Sequence, residues 1–310
     1  MNNFHTPVLL KEAIENLNVE KDKKYIDATI GGGGHTVEIL KNGGVVLGID
    51  CDREAIEYVR GRWKIESRRW KIKEDNLTLV RGNFRDIDKI AHSHGFDHVK
   101  RGFGKFSGII FDLGVSSHQL ETPGRGFSFQ KEGPLDMRMD QDLHVKAEDL
   151  IKILKKGELY ELFTRLGEES RAWQLSRRIV RARRVKPIET TKDLAEIIGS
   201  GVNKRYGRIN SSTKIFQALR IAVNDELNSL KEALPKALTL LEERGRILVI
   251  SYHSLEDRIV KNLFLEFASK GKGIVVTEKP IKPTFFDVEK NRRGRSAKLR
   301  VFETRSASSG

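Results

Sequence analysis

Several things are scarce in this sequence, and each scarcity removes a class of protein. One cysteine, Cys51, is present among 310 residues. It has no partner for an internal disulfide and cannot build a Cys-rich metal site, which fits a reducing compartment. No stretch approaches the ~20 apolar residues of a membrane-spanning helix. The opening segment, residues 1–15, has no basic run followed by an apolar one, so export is not expected. There is neither an internal repeat nor a low-complexity segment, apart from the Ser-rich residues 306–310, which are expected to be a disordered tail. A cytoplasmic protein with no membrane partner is the expectation. What is present suits a globular chain, with 38% hydrophobic and 32% charged residues. Lys and Arg number 57 against 43 Asp and Glu, a net charge of +14 that points to a polyanionic partner, nucleic acid first.

Short β-branched runs punctuate the first third: Lys24–Ile30, Val45–Asp50, Leu77–Arg81 and Gly108–Leu113. Helical stretches at His35–Lys41 and Arg53–Arg62 alternate with them, the pattern of βαβ units and a parallel sheet. From Ala147 to Ile198 no convincing strand occurs. Leu159, Leu162, Phe163 and Leu166 mark one helix face, and Ala172, Leu175, Ile179 and Ala182 a second whose other side is nearly all arginine. Thr190–Asp193 reads as a capping box opening a third helix. Phe216 to Leu234 forms one long apolar stripe, and Pro235 is expected to start the next helix, ending at Gly245. Strand character returns at Ile247–Tyr252, Ile274–Thr277 and Lys298–Phe302. The expected fold is a doubly wound α/β sheet with a helical insertion between its fourth and fifth strands.

The segment Asp27–His35 carries four consecutive glycines directly after the first strand. Glycine admits positive φ and close approach of a ligand to the backbone, and ligands of open parallel sheets sit at the carboxyl ends of strands. Asp50 ends the second strand, where a carboxylate accepts hydrogen bonds from ribose hydroxyls. The loop suits NAD or S-adenosylmethionine. A dinucleotide fingerprint would need a small residue at position 36 or 37, where Thr36 and Val37 stand, and an acidic Asp27 before the glycines is more in keeping with a methyltransferase. A flexible surface turn is the plain alternative. Asp112 follows the fourth strand, placed for a cleft or capping a turn. His253 follows the fifth, within Ser251–Arg258, as a functional or a turn histidine.

Six segments together resemble the bacterial small-subunit ribosomal RNA cytidine N4-methyltransferases. They are His5–Leu10, Asp27–His35, Asp112–Ser117 with Gly126–Phe129, Pro134–Asp140, Phe216–Asn224 and Ser251–Arg258. Arg295–Arg300 is similar to that family's last strand. The resemblance implies a class I S-adenosylmethionine-dependent methyltransferase, a Rossmann-like doubly wound sheet with an inserted all-helical domain. On that basis 1–132 and 213–305 form the core and 133–212 the substrate-recognition domain. It implies S-adenosylmethionine contacts at Gly33, Gly34 and His35, Asp50 on the ribose, Phe84 beside the adenine, Asp112 near the reactive end, and Gln119. The implied substrate is a cytidine in the decoding region of small-subunit ribosomal RNA, within the assembled subunit. The protein would be a monomer or a homodimer. One departure is visible: Asn210–Lys214 stands where the family commonly has His-Pro-Ala-Thr-Arg, which touches any substrate contact through that loop but not the fold.

An exocyclic amine is a poor nucleophile because its lone pair is delocalised into the ring, so catalysis must orient it and accept its hydrogens. Asp112 is the expected acceptor, with His253 and His5 as second choices for orienting the base. A base inside folded RNA must be splayed out and held on aromatic or arginine faces. Phe127 and Phe129 could stack on it or pack a core. Arg138 could touch a phosphate or pair with Asp136 and Asp140. Between Arg171 and Arg220 there are 13 Lys and Arg against 3 Asp and Glu. Arg177, Arg178, Arg181, Arg183 and Arg184 cluster there, as a phosphate-binding face or a solvated one. If six phosphates are neutralised, the log–log salt slope is about −5. His92, His94 and His98 read as exposed loop residues, and no metal is expected. Rival readings are a DNA or other RNA amino-methyltransferase, an RNA-binding assembly factor without turnover, and an NAD-dependent oxidoreductase, which lacks a hydride-relay constellation here.

Overall fold

In a computed structural model that describes residues 7–95, 106–199 and 210–305, seven apolar runs become one sheet. The strands are β1 (Lys24–Asp27), β2 (Val45–Asp50), β3 (Leu77–Arg81), β4 (Phe106–Asp112), β5 (Leu241–Ser251), β6 (Gly273–Val275) and β7 (Lys298–Thr304). Their order is β3-β2-β1-β4-β5-β7-β6. The first five are parallel, and β7 runs antiparallel to both β5 and β6. Parallel strands covered on both faces need apolar side chains at every position, and successive residues here feed opposite cores. Ile26, Leu47, Ile49, Ile109, Phe111, Ile247 and Val249 share one core. Tyr25, Val46, Ile110, Leu248 and Ile250 share the other.

Helices α1 (Leu10–Leu17), α2 (Gly34–Lys41), α3 (Arg53–Trp70) and α4 (Ile87–Ser93) precede or connect the first strands. Ala13, Leu17, Ile39 and Leu40 of α1 and α2 lie in the second of those cores, and Ile87 and Ala91 of α4 in the first. Asp52 caps α3, accepting from Glu54 N, and the helix runs past Arg62 because Trp63 and Ser67 continue its buried face. The strand order reverses between β1 and β4. That switch point leaves a crevice at the carboxyl ends of the strands.

Two compact units emerge, 1–114 with 227–310, and 115–226. The second holds α5 (Ser117–Glu121), α6 (Ala147–Ile153), α7 (Lys156–Arg165), α8 (Ala172–Ala182), α9 (Thr191–Gly199) and α10 (Ser211–Asn224). It is wider on both sides than 133–212. Phe127 and, from α10, Ile215, Phe216 and Leu219 bury their side chains with Leu159, Phe163, Leu175 and Ile179, so they belong to that unit's core. Thr190 does open α9: its hydroxyl accepts from Asp193 N at 3.0 Å, and Asp193 Oδ2 accepts from Thr190 N at 3.1 Å.

The chain returns through α11 (Glu226–Leu240), α12 (Ser254–Ser269) and α13 (Phe285–Lys290). Here the expectation from sequence needs correction. The stripe from Phe216 to Leu234 is split by Asp225 at φ +49, and Pro235 lies inside α11 instead of starting a helix. A proline removes the hydrogen bond to the carbonyl four residues back. Lys231 and Pro235 are both exposed, so the loss falls on the solvent side. Gly245 lies within β5. Among the described residues no helix is long and apolar enough to cross a membrane.

Candidate functional site

The glycine loop between β1 and α2 is tied down at both ends. Asp27 is buried at the end of β1; its Oδ2 accepts from Thr36 Oγ1 at 2.7 Å and its Oδ1 from Thr29 N at 3.3 Å. Burial pushes its carboxyl up to about 6. Gly31 and Gly33 have φ of +48° and +74°, a region that L side chains avoid. The glycine identity at two positions is set by packing. A Cβ on Gly33 would lie 3.1 Å from Val59 Cγ2, and one on Gly34 would lie 2.7 Å from Pro7 Cγ. Arg62, one turn beyond Val59 on α3, donates to the Gly32 carbonyl at 2.9 Å. Gly31 has open space instead: among the described residues only the Thr29 carbonyl comes within 4 Å of its Cβ position.

At the end of β2, Asp50 accepts from Gly31 N and Asp52 N, each at 2.9 Å and each on a different oxygen. A carboxylate oxygen has two acceptor sites, so both oxygens keep capacity for a further donor. Burial pushes Asp50 up to about 6. The Asp50 carbonyl accepts from Gly82 N at 2.9 Å, which brings the end of β3 alongside. Phe84 follows there on a short 3-10 turn, with its ring edge-on to Phe111 at 5.7 Å.

Asp112 ends β4. Its N–H donates to Thr29 Oγ1 at 2.7 Å, its Oδ1 accepts from the Tyr252 hydroxyl at 2.8 Å, and its Oδ2 is 3.8 Å from His35 Nδ1. Burial, with Asp112 next in importance, raises Tyr252 well above the ordinary phenol value, so it remains a donor at neutral pH. Glu256 Oε2 accepts from the backbone N–H groups of Tyr252 and His253 at 2.8 and 3.3 Å. His253 itself caps α12: its Nδ1 accepts from Glu256 N at 3.3 Å, and its Nε2 is 3.2 Å from Glu256 Oε1. The arrangement gives His253 a structural task, the turn reading left open by the sequence.

Gly33, Gly34, His35, Asp50, Phe84 and Asp112 thus gather at the carboxyl edge of one sheet. His5 and His98 lie outside the described residues. Gln119 belongs to the helical unit, where its Oε1 accepts from Ser116 N at 3.0 Å in a capping box at the start of α5. Sequence reasoning missed Tyr252, Thr29 and Arg62. Tyr252 is the first residue past β5, whose Ile250 is in register with Asp112, and that pairing is what brings the two together.

Within the helical unit two expectations are corrected. Phe127 is 7% exposed, and Phe129 packs edge-on to Phe216 at 5.3 Å, so both rings serve that unit's core and are not a surface for a base. Arg138 forms a two-pronged pair with Asp136, Nε to Oδ1 at 2.7 Å and a terminal nitrogen to Oδ2 at 2.8 Å. It also donates to the Gln141 and Leu143 carbonyls, so four of its five N–H groups are engaged inside the helical unit, the ion-pair reading left open by the sequence. The arginine cluster behaves differently. Arg177, Arg178, Arg181 and Arg184 are exposed, and no carboxylate of the described residues pairs with Arg177, Arg181 or Arg184. Arg183 is half-buried and donates to the Ile151 carbonyl. Beside the cluster lies an open groove of about 380 Å³ lined by Arg178, Arg181, Ala182, Val185 and Ile197. His94 is a satisfied exposed residue, its Nδ1 2.9 Å from the Ile90 carbonyl.

An antiparallel β7 between β5 and β6 separates this sheet from the parallel dinucleotide order 3-2-1-4-5-6. The profile of the MraW methylase family matches residues 2–305. The chain belongs to the MraW methylase family. It is 42% identical over 302 residues to the ribosomal RNA small subunit methyltransferase H of Coprothermobacter proteolyticus, covering 96% of this chain and 95% of that protein. The proteins of the same name from Halothermothrix orenii and Persephonella marina are 43% and 44% identical, each covering 96% of this chain and 98% of the relative. This MraW methylase is therefore a methyltransferase of the class I, S-adenosylmethionine-dependent fold, and the oxidoreductase reading of the glycine loop falls away.

Proposed function

We propose that this methylase transfers a methyl group from S-adenosylmethionine to the exocyclic N4 of a cytidine in the decoding region of small-subunit ribosomal RNA, in the cytoplasm and on the assembled subunit. The names of relatives that match 96% of the chain support the RNA class. The observation that carries the chemistry is Asp112 at the end of β4, beside the glycine loop, its backbone N–H held by Thr29 and its carboxylate by Tyr252.

The residues present fit the cofactor. Asp50 keeps acceptor capacity on both oxygens, the chemistry that ribose hydroxyl donors need. Gly33, Gly34 and His35 would hold the cofactor along the loop, Phe84 would lie beside its adenine, and Asp112 would lie near its reactive end. When bound, S-adenosylmethionine supplies an electrophilic methyl group on a sulfonium sulfur. This chain's own task is to make a weak amine reactive. Asp112 accepts a hydrogen bond from N4, which orients the nitrogen and receives the proton that N4 gives up as it gains a methyl. Tyr252 is the positioning residue, holding the Asp112 carboxylate in one rotamer. Splaying the cytidine out of its RNA is costly unless phosphates are gripped on either side. Arg177, Arg178, Arg181 and Arg184 supply that grip, with the apolar groove floor of Ala182, Val185 and Ile197 beside them.

Labelled methyl transfer onto naked small-subunit RNA, isolated small subunits and duplex DNA tests this reading, with the product base mapped by mass spectrometry. Label on N4 of one RNA cytidine is expected; label confined to DNA overturns it. Asp112→Ala should bind S-adenosylhomocysteine and lose turnover, and unchanged turnover removes Asp112 from its role.

A further inference from the structure

One exposed segment of the sheet unit has no part in the site described above. Helix α13 presents Phe285 and Phe286 to solvent, 72% and 71% exposed, with ring centroids 6.1 Å apart and planes at 79°. Lys279, Lys282, Arg292 and Arg295 surround them in sequence and are also exposed, and none pairs with a carboxylate among the described residues. From Glu278 to Ser296 there are six Lys and Arg against three Asp and Glu. One of those acids, Asp287, is engaged by Thr284, accepting from its N–H at 2.8 Å and its hydroxyl at 2.6 Å.

The segment also lies beside the cofactor edge. A Cβ on Gly294 would be 3.0 Å from Val8 Cγ1, and Pro7, the neighbour of Val8, packs on Gly34 of the glycine loop. Exposed phenyl rings interleaved with unpaired cations match the chemistry of an unstacked nucleotide, whose base needs an aromatic face and whose phosphate needs a cation. A protein partner of ordinary composition would be read by the rings and not by four uncompensated charges.

We propose that Phe285 and Phe286, with Arg292 and Arg295, form a stacking platform for an unpaired nucleotide of the substrate RNA flanking the target base. The inference rests on the RNA reading above. It adds a contact on the sheet unit, separate from the arginines of α8. Phenylalanine offers no hydrogen bond to a base edge, so the platform holds any base and contributes affinity, not sequence choice.

The test is titration of a single-stranded fragment of small-subunit RNA, and of assembled small subunits, against the full-length protein. Phe285→Ala with Phe286→Ala should weaken binding of the naked fragment about tenfold or more, with melting temperature and the heat of S-adenosylhomocysteine binding unchanged. Phe285→Trp with Phe286→Trp should keep the affinity, and its indole fluorescence should be quenched on adding RNA. Arg292→Gln with Arg295→Gln should reduce the log–log salt slope by about 1.4 on single-stranded RNA. Wild-type affinity of the double alanine variant for the naked fragment overturns the platform. So does a loss confined to assembled subunits, which would make the surface a protein contact. A wild-type protein that neither binds nor methylates RNA refutes the parent function, and the platform with it.

Discussion

With Asp50 on the cofactor ribose, as proposed, cofactor affinity is expected to depend on pH in a direction set by its carboxyl. Burial raises it to about 6, while Gly31 N and Asp52 N donate to its two oxygens. Ribose hydroxyls are donors, so they favour the ionised carboxylate and bind best when Asp50 has lost its proton. With a pKa of about 6, roughly 9% of Asp50 is ionised at pH 5 and roughly 99% at pH 8. If only the ionised form binds, affinity for S-adenosylhomocysteine rises about tenfold between those pH values. Calorimetry at pH 6 in buffers of different ionisation enthalpy should detect about half a proton released per site, and none at pH 8. In the unliganded protein the same shift acts with the opposite sense. A carboxyl whose pKa rises on folding lends stability below its unfolded value near 4, and that stability is lost as pH climbs through about 6. Asp50→Asn should therefore flatten both the affinity profile and part of the melting profile between pH 5 and 7. A flat wild-type affinity profile, or one unchanged in Asp50→Asn, refutes the assignment of Asp50 to the ribose.

Three other outcomes follow from the contacts described. Tyr252→Phe removes the donor to Asp112 Oδ1; a hydrogen bond to a charged group is worth about 1.5–3 kcal/mol, so kcat should fall roughly tenfold to a hundredfold with cofactor KM little changed, and wild-type kcat would refute the positioning role. Arg177→Gln, Arg181→Gln and Arg184→Gln together should weaken RNA binding across sequences and lower the salt slope by about 2–3, whereas Arg138→Gln should leave the slope alone and lower the melting temperature, because it breaks the pair with Asp136. Pro235→Ala should restore the missing helix hydrogen bond of α11 and stabilise the protein by about 2 kcal/mol, the helix penalty of proline less its unfolded-state benefit, read as a rise in melting temperature; a fall would show that the exposed Lys231 carbonyl is engaged elsewhere.

Strands β2 and β3 were legible to the residue, at Val45–Asp50 and Leu77–Arg81, because runs between packed faces announce themselves by apolarity. The start of β5 was not. Glu242, Glu243 and Arg244 open it, Arg244 takes φ +59, and Gly245 resembles a helix stop. The register with β4 jumps there from Phe106–Leu241 to Gly108–Arg246, so Glu242–Gly245 form an irregularity with no strand pattern to read, and regular pairing resumes at Arg246. In the site, the glycines, Asp50 and Asp112 could be placed from sequence because positive φ and strand ends leave local marks. Tyr252 left none of its own, since a tyrosine after a strand means little until the neighbouring strand sets which carboxylate it meets.

Arginine shows most clearly what sequence alone leaves open, since the same side chain serves opposite ends in the helical unit. Met137 at φ +65 folds the chain so that Arg138 meets Asp136 two residues away, and the pair closes on itself. A composition count sees a basic residue; the backbone turn makes it structural. On α8, Arg177 and Arg181 stand four residues apart on one helix face, where like charges destabilise by about 0.2–0.5 kcal/mol. No carboxylate among the described residues relieves either of them. A helix that carries this repulsion in the free protein gains most from a partner that supplies the missing negative charge. Phosphate does so without needing any particular base, so this face is expected to grip an RNA backbone whatever its sequence.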